Sequence, residues 1–177
     1  TVISHLQKSD TTLRPYQMEG ISWLNFLTEV HLNGALCDDM GLGKTLQALI
    51  AVAISHHKSA AALNSNNKAK SVVICPSSVV GHWVSEIERF FPGEEVFNPF
   101  DFTGSPKTRR AAWQTQLNKS NIVVTSYSIL RNDISLLENV LWNWCILDEG
   151  HLLKNPKTAT AKASRRLKAQ HKLILTG

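Results

Sequence analysis

The stretch Gly34-Ala35-Leu36-Cys37-Asp38-Asp39-Met40-Gly41-Leu42-Gly43-Lys44-Thr45, followed by LQALIAVAI, decides how the rest of the chain is read. A short apolar run leads into a glycine turn, and the turn leads into a helical pattern. The strict phosphate-loop pattern requires glycine five residues before Gly43, and Asp38 stands there. Two acids therefore sit beside a loop that a triphosphate would occupy. Gly41 and Gly43 still allow the backbone to turn its N–H groups inward around an anion, and a helix starting at Lys44 adds its positive end. In that reading Lys44 reaches the β- and γ-phosphates, and the Thr45 hydroxyl is a ligand for Mg²⁺. The plainer alternative is a glycine-rich helix start with an exposed lysine.

Outward from the loop, apolar strand-like runs alternate with amphipathic stretches. GALC, SVVICP, VFNPFDFTG, NIVVTSY, WNWCILDEGH and HKLILTG read as strands. YQMEGISWLNFLTEV, KTLQALIAVAISHH, VVGHWVSEIERFF and KTRRAAWQTQL read as helices, the first with Ile21, Leu24, Leu27 and Val30 at helical spacing. Strands separated by helices predict an α/β fold with a parallel sheet covered on both faces, and the continuous runs VVI, IVV and LIL fit burial from both sides. Ligands bind outside the carboxyl ends of such strands. The polar residues of interest fall there: 38–45, 76–78, 103–104, 126–127, 148–151 and 176–177. Residues 58–70, KSAAALNSNNKAK, read as a mobile surface loop.

A second signal lies in CILDEGH. An apolar strand delivers Asp148 and Glu149 to its carboxyl end, where Asp148 would hold Mg²⁺ and Glu149 would position and deprotonate a water. Two surface acids closing a strand are the alternative, but each half supplies what the other lacks: a phosphate clamp in the loop, a metal ligand and a base here. A third signal is LRPYQ at 13–17. The Gln17 amide can pair with adenine, with Arg14 and Tyr16 as neighbours of the base.

Composition sets the frame. Of 177 residues 43% are hydrophobic and 19% charged, the balance of a globular chain long enough for one domain. A net charge of +5 permits nucleic-acid contact, as it also permits simple solubility. Cys37, Cys75 and Cys145 each end or interrupt an apolar run and read as three buried free thiols in a reducing compartment. No C-x-x-C pair accompanies His56-His57, so a zinc site is not expected. No apolar stretch reaches membrane-span length. The start without methionine and the stop at Gly177 suggest a piece of a longer protein.

The ordered set LRPYQ, DDMGLGKT, VVICPSSVVGHW, IVVTSY, LDEGH..KN and LILTG resembles the first motor lobe of the Snf-type ATPases in helicase superfamily two, from about Leu13 to Gly177. In that family DEMGLGKT is usual, so Asp38 belongs to the pattern and Asp39 replaces Glu conservatively. ALCDDMGLGKTLQ, GHWVSEIERF, LRNDI and NWCILDEGHLLKN are more closely similar to the subfamily that strips the TATA-box-binding protein from DNA. The Cockayne-syndrome-type repair translocases also carry DEGH, and an RNA helicase lobe shares the architecture.

The resemblance implies a single RecA-like lobe over residues 1–177, ATP and Mg²⁺ as cofactors, double-stranded DNA and a DNA-bound protein as partners, a second motor lobe absent here, and a nuclear location. It implies phosphate contacts from Pro76, Ser77 and Ser78, from Thr103 and Gly104, and from Thr125, Ser126 and Tyr127, through hydroxyls and N–H groups that carry no sequence information. Turn and helix-cap chemistry is the alternative for the serines and threonines. It sets His151 to link nucleotide state to Thr176, and Lys154 and Asn155 towards DNA or the other lobe. Arg109-Arg110 and Arg165-Arg166-Leu167-Lys168 read as solvated helix faces before they read as phosphate clamps. Trp83, Trp142 and Trp144 read as core. The family's second lobe supplies arginines to the transition state, worth ~10³–10⁵ in rate by analogy with other arginine fingers, so this lobe alone is expected to turn over very slowly.

Overall fold

The computed structural model describes residues 12–39, 41–63, 69–93 and 95–177. Six strands form one sheet: β1 (Gly34–Leu36), β2 (Ser71–Cys75), β3 (Pro99–Asp101), β4 (Ile122–Ser126), β5 (Leu141–Leu147) and β6 (Lys168–Leu175). Their order is β1-β6-β5-β2-β4-β3, and every neighbouring pair is parallel. The register sets Val73 against Val124 and Ile146, and Ala35 against Ile174. β2 and β4 are buried along their whole length, as their unbroken apolar runs require.

Helices cover both faces. On one lie α1 (Pro15–Glu29), α2 (Lys44–Leu63) and α3 (Val80–Phe90), which close Leu24, Leu49, Val52, Trp83 and Ile87 over Val73, Cys75 and Ile146. On the other lie α4 (Pro106–Lys119), α5 (Tyr127–Asn132), α6 (Ile134–Leu137) and α7 (Ala159–Arg166), which pack Trp113, Leu130, Leu137 and Ala163 over Val72, Ile74 and Leu147. The expected α/β sheet with helices on both faces is borne out. Among the described residues no helix is long and apolar enough to cross a membrane.

Two expectations are corrected. Residues 58–63 are not loop but the last turns of α2, because KSAAAL is rich in alanine, the strongest helix former; residues 64–68 of that segment lie outside the described residues. Cys37 is exposed while Cys75 and Cys145 are buried. β1 is an edge strand, so the residue that follows it has sheet on one side only.

The amino edge of the sheet is held by polar pairs. Ser55 of α2 donates to Asn143 Oδ1 at 2.8 Å, and His56 Nε2 lies 2.7 Å from Ser71 Oγ, while His56 Nδ1 is buried with no partner. Burial pushes the His56 imidazole down to about 4. The unfolded chain takes up that proton near the ordinary value of ~6.5, so between these values the unfolded state binds more protons than the folded one. Stability is therefore full above ~6.5 and is lost as pH falls towards 4, by up to about 3 kcal/mol. His171, lowered by burial and then by the charge of His31, adds in the same direction. Urea midpoints measured at neutral and mildly acid pH are expected to separate in the wild type and to draw together in His56→Gln; equal separation in both would refute the assignment.

Candidate nucleotide site

Because all six strands are parallel, the loops after them share one edge. Along it run the loops after β1 (38–39 and 41–43), β6 (176–177) and β5 (148–150), then those after β2 (76–78), β4 and β3 (102–105). The candidate nucleotide residues occupy one half of this edge and the candidate DNA residues the other.

The glycine loop is built as its sequence requires. Gly41 and Gly43 have φ of 83° and 75°, a region open to glycine at little cost. A Cβ on Gly43 would also sit 2.5 Å from Gln17 Nε2. Lys44 Nζ donates to the carbonyl oxygens of Asp38 at 2.5 Å and Asp39 at 2.9 Å. The two acids thus hold the lysine through their backbone carbonyls. Thr45 follows in the first turn of α2.

Gln17 is buried where α1 begins. Its Oε1 accepts from the Arg14 N–H at 2.9 Å, which caps the helix, and its Nε2 donates to the Leu42 carbonyl at 3.3 Å. Gln17 therefore bridges helix start and glycine loop, with Arg14 exposed beside it. Gln47, fully buried on α2, sends its Nε2 to the same carbonyl at 3.4 Å. Sequence reasoning passed over Gln47; a polar residue inside the apolar run LQALIAVAI was the available signal.

Asp148 and Glu149 end β5. The Asp148 N–H continues the sheet to the Ile74 carbonyl at 2.8 Å. Its Oδ1 accepts from the Glu149 N–H at 2.9 Å, and its Oδ2 accepts from Trp83 Nε1 at 2.8 Å. Tyr127 Oη donates to the Asp148 carbonyl at 2.7 Å. Glu149 has φ of 54°, a left-handed conformation that costs a non-glycine residue roughly 1–3 kcal/mol and gathers at functional sites. Gly150 explains the glycine in DEGH: a Cβ there would lie 2.1 Å from Ile174 Cγ2 on β6. His151 Nδ1 lies 3.0 Å from Glu149 Oε2, and the Thr176 hydroxyl contacts the Gly177 carbonyl at 3.4 Å, so the structure pairs His151 with the acid rather than with Thr176.

Thr45 and Asp148 offer a hydroxyl and a carboxylate, the hard oxygen donors that suit Mg²⁺. Among the described residues no group of three or more His, Cys, Asp or Glu could hold a metal.

The other half of the edge is mixed. Ser77 and Ser78 are exposed in a single 3₁₀ turn, Gly104 is exposed, and Thr103 is half-buried. Thr125, Ser126 and Tyr127 are buried: Thr125 Oγ1 donates to the Phe102 carbonyl at 2.7 Å, and Ser126 Oγ caps α5 by accepting from the Ile129 N–H at 3.3 Å. For Ser126 the geometry is cap chemistry, not an exposed hydroxyl. Arg109 corrects another expectation. It is not on a solvated face but buried, ion-paired with Asp133 at 2.5 Å. Arg110 pairs with the other oxygen of the same carboxylate. Arg165 and Arg166 are exposed as expected, the latter paired with Glu138 at 2.6 Å. Trp142 and Trp144 are core, and Trp83 is core with one polar use.

A glycine loop and a strand-end acid pair on one edge of a parallel sheet define a nucleotide-binding lobe of the phosphate-loop ATPase class. The family model of the SNF2-related domain matches residues 16–177, and the chain belongs to that family. It is 46% identical over 170 residues to "TATA-binding protein-associated factor mot1" of Aspergillus fumigatus, covering 93% of this chain and 9% of that protein. To "TATA-binding protein-associated factor 172" of Homo sapiens it is 44% identical over 170 residues, with the same 93% and 9%. The chain thus spans about a tenth of the length of the curated relatives it matches. Among solved structures, the Sulfolobus solfataricus SWI2/SNF2 ATPase core in complex with double-stranded DNA superposes with a TM-score of 0.78 at 34% identity, covering 94% of this chain and 32% of that one. The resemblance drawn from the motifs is borne out, and with it the RecA-like fold and a nucleotide as ligand.

Proposed function

We propose that this chain is the ATP-binding lobe of a double-stranded-DNA translocase that removes or remodels a DNA-bound protein, the TATA-box-binding protein, in nuclear transcription control. The observation that carries the reading is the placement along one sheet edge of Lys44 and Thr45, which open α2 after the glycine loop, and of Asp148 and Glu149, which follow β5, with β6 between β1 and β5. Lys44 leaves the carbonyls of Asp38 and Asp39 to hold the β- and γ-phosphates, against which Gly41 and Gly43 aim backbone N–H groups. Thr45 and Asp148 would hold Mg²⁺, which would supply positive charge against the phosphates. Glu149 accepts a proton from the attacking water. Gln17 and Arg14 take the base, and His151, which lies against Glu149 here, relays nucleotide state and turns to Thr176 only in another state of the motor. Ser77, Ser78, Thr103 and Gly104 hold phosphates of one DNA strand. The relatives' names, and the DNA in the Sulfolobus complex, support the partners. A second lobe completes the site, so this lobe alone turns over slowly.

The test is the ATPase rate of the intact two-lobed protein with duplex DNA and with RNA. Duplex DNA is expected to stimulate it, and Lys44→Ala to bring it to background. Stimulation by RNA alone would refute the reading, and an unchanged rate in Lys44→Ala would point to a relic nucleotide site.

A further inference from the structure

Trp83 stands out among the core side chains. It is 1% exposed, on the apolar face of α3, and its single N–H is directed out of the core onto Asp148 Oδ2 at 2.8 Å. Buried indole N–H groups usually find an acceptor, though Trp144 Nε1 has none here, and that of Trp83 meets the acid assigned to the metal. The other oxygen of that acid is held by the Glu149 N–H at 2.9 Å. With one donor on each oxygen, the rotation of the carboxylate is fixed, and each oxygen keeps lone-pair capacity for a metal-bound water or the metal.

The position of α3 gives this bond a second meaning. The helix begins at Val80, directly after the 3₁₀ turn Ser77–Val79 that closes β2. Trp83 therefore lies in the first turn of α3, five residues after the exposed Ser78 and six after the exposed Ser77. Its hydrogen bond crosses from the β2 side of the edge to the end of β5, where the nucleotide half begins.

We propose that Trp83 is a positioning residue that orients the Asp148 carboxylate for the metal and ties it to the Ser77–Ser78 turn, so that a phosphate strand held at that turn is felt at the metal-binding acid. This rests on the reading of Asp148 as the Mg²⁺ ligand and of the turn as a DNA contact. Outer hydrogen-bond partners of metal ligands set ligand orientation, and their loss typically costs 10–100-fold in metal affinity or activity. Trp83 meets that description through one atom.

The experiment uses the intact two-lobed protein, three single variants, and each Trp83 variant combined with Asp148→Asn. Trp83→Phe keeps a ring and loses the N–H. Replacing Trp83 with benzothienylalanine keeps the indole shape with sulfur in place of the N–H, so it separates the hydrogen bond from core packing. Asp148→Asn marks the metal site itself. The readouts are Mn²⁺ binding in the presence of ADP, followed by electron paramagnetic resonance, and the ratio of DNA-stimulated to basal ATPase. Both Trp83 variants are expected to weaken Mn²⁺ binding by about tenfold and to reduce the stimulation ratio. The weakening is expected to vanish in the Asp148→Asn background, where the partner is already changed. If Asp148→Asn weakens Mn²⁺ binding and the benzothienylalanine variant does not, the proposal is overturned while the metal site stands. If Asp148→Asn leaves Mn²⁺ binding unchanged, the metal assignment falls and the proposal with it.

Discussion

Glu149→Gln is expected to lower kcat for ATP hydrolysis in the intact protein by about 10²–10⁴-fold while nucleotide binding persists. The two side chains have nearly the same shape, so the backbone at φ 54° faces the same strain in both. The amide can keep a hydrogen bond with His151 Nδ1, which lies 3.0 Å from Glu149 Oε2. What it cannot do is accept a proton from water. Lys44→Ala differs in kind, because it removes the phosphate contact proposed for Lys44 and is expected to weaken binding itself. Single-turnover hydrolysis set beside the affinity for a fluorescent ATP analogue separates the two. A Glu149→Gln protein that hydrolyses within about tenfold of wild type would remove Glu149 from the role of base.

The parts of the molecule legible in the sequence are those written as local patterns. The runs VVI and IVV named β2 and β4 because burial on both faces leaves no polar position. Gly41 and Gly43 named the loop because few residues take those backbone angles at so little cost. The elements that escaped are short: α5 and α6 hold six and four residues, less than two helical turns, too few for a period to show. Contacts between distant residues escaped for a different reason. Trp83 satisfies every rule for a core residue, and only the fold reveals that its N–H meets Asp148. Arg109 reads as one of a basic pair on a helix, and its partner lies beyond the intervening strand β4. Gly150 reads as a variant letter in a motif until Ile174 of β6 is placed against it.

That buried Arg109–Asp133 pair carries the second large effect. Asp133 is 1% exposed and accepts from Arg109 Nε at 2.5 Å and from Arg110, while Arg109 Nη1 donates to the Gly104 carbonyl at 2.8 Å. Asp133→Ala leaves the Arg109 guanidinium buried without its counter-charge, and the expected loss is about 3–5 kcal/mol, a fall in Tm of roughly 10 °C. Arg110→Ala, at a half-exposed side chain, is expected to lose no more than about 1 kcal/mol. Thermal melts of the two variants check this, and equal melting of Asp133→Ala and wild type would refute the buried-pair account. The pair need not be a net source of stability, because apolar replacement of both partners is often neutral or better. Arg109→Met with Asp133→Leu is therefore expected to regain much of the loss. It still deletes the donor to Gly104, the positive-φ residue of the loop after β3. If that loop holds DNA phosphates as proposed, the double variant melts near wild type yet shows weaker stimulation by duplex DNA. Recovery of both would make the pair a fold element alone.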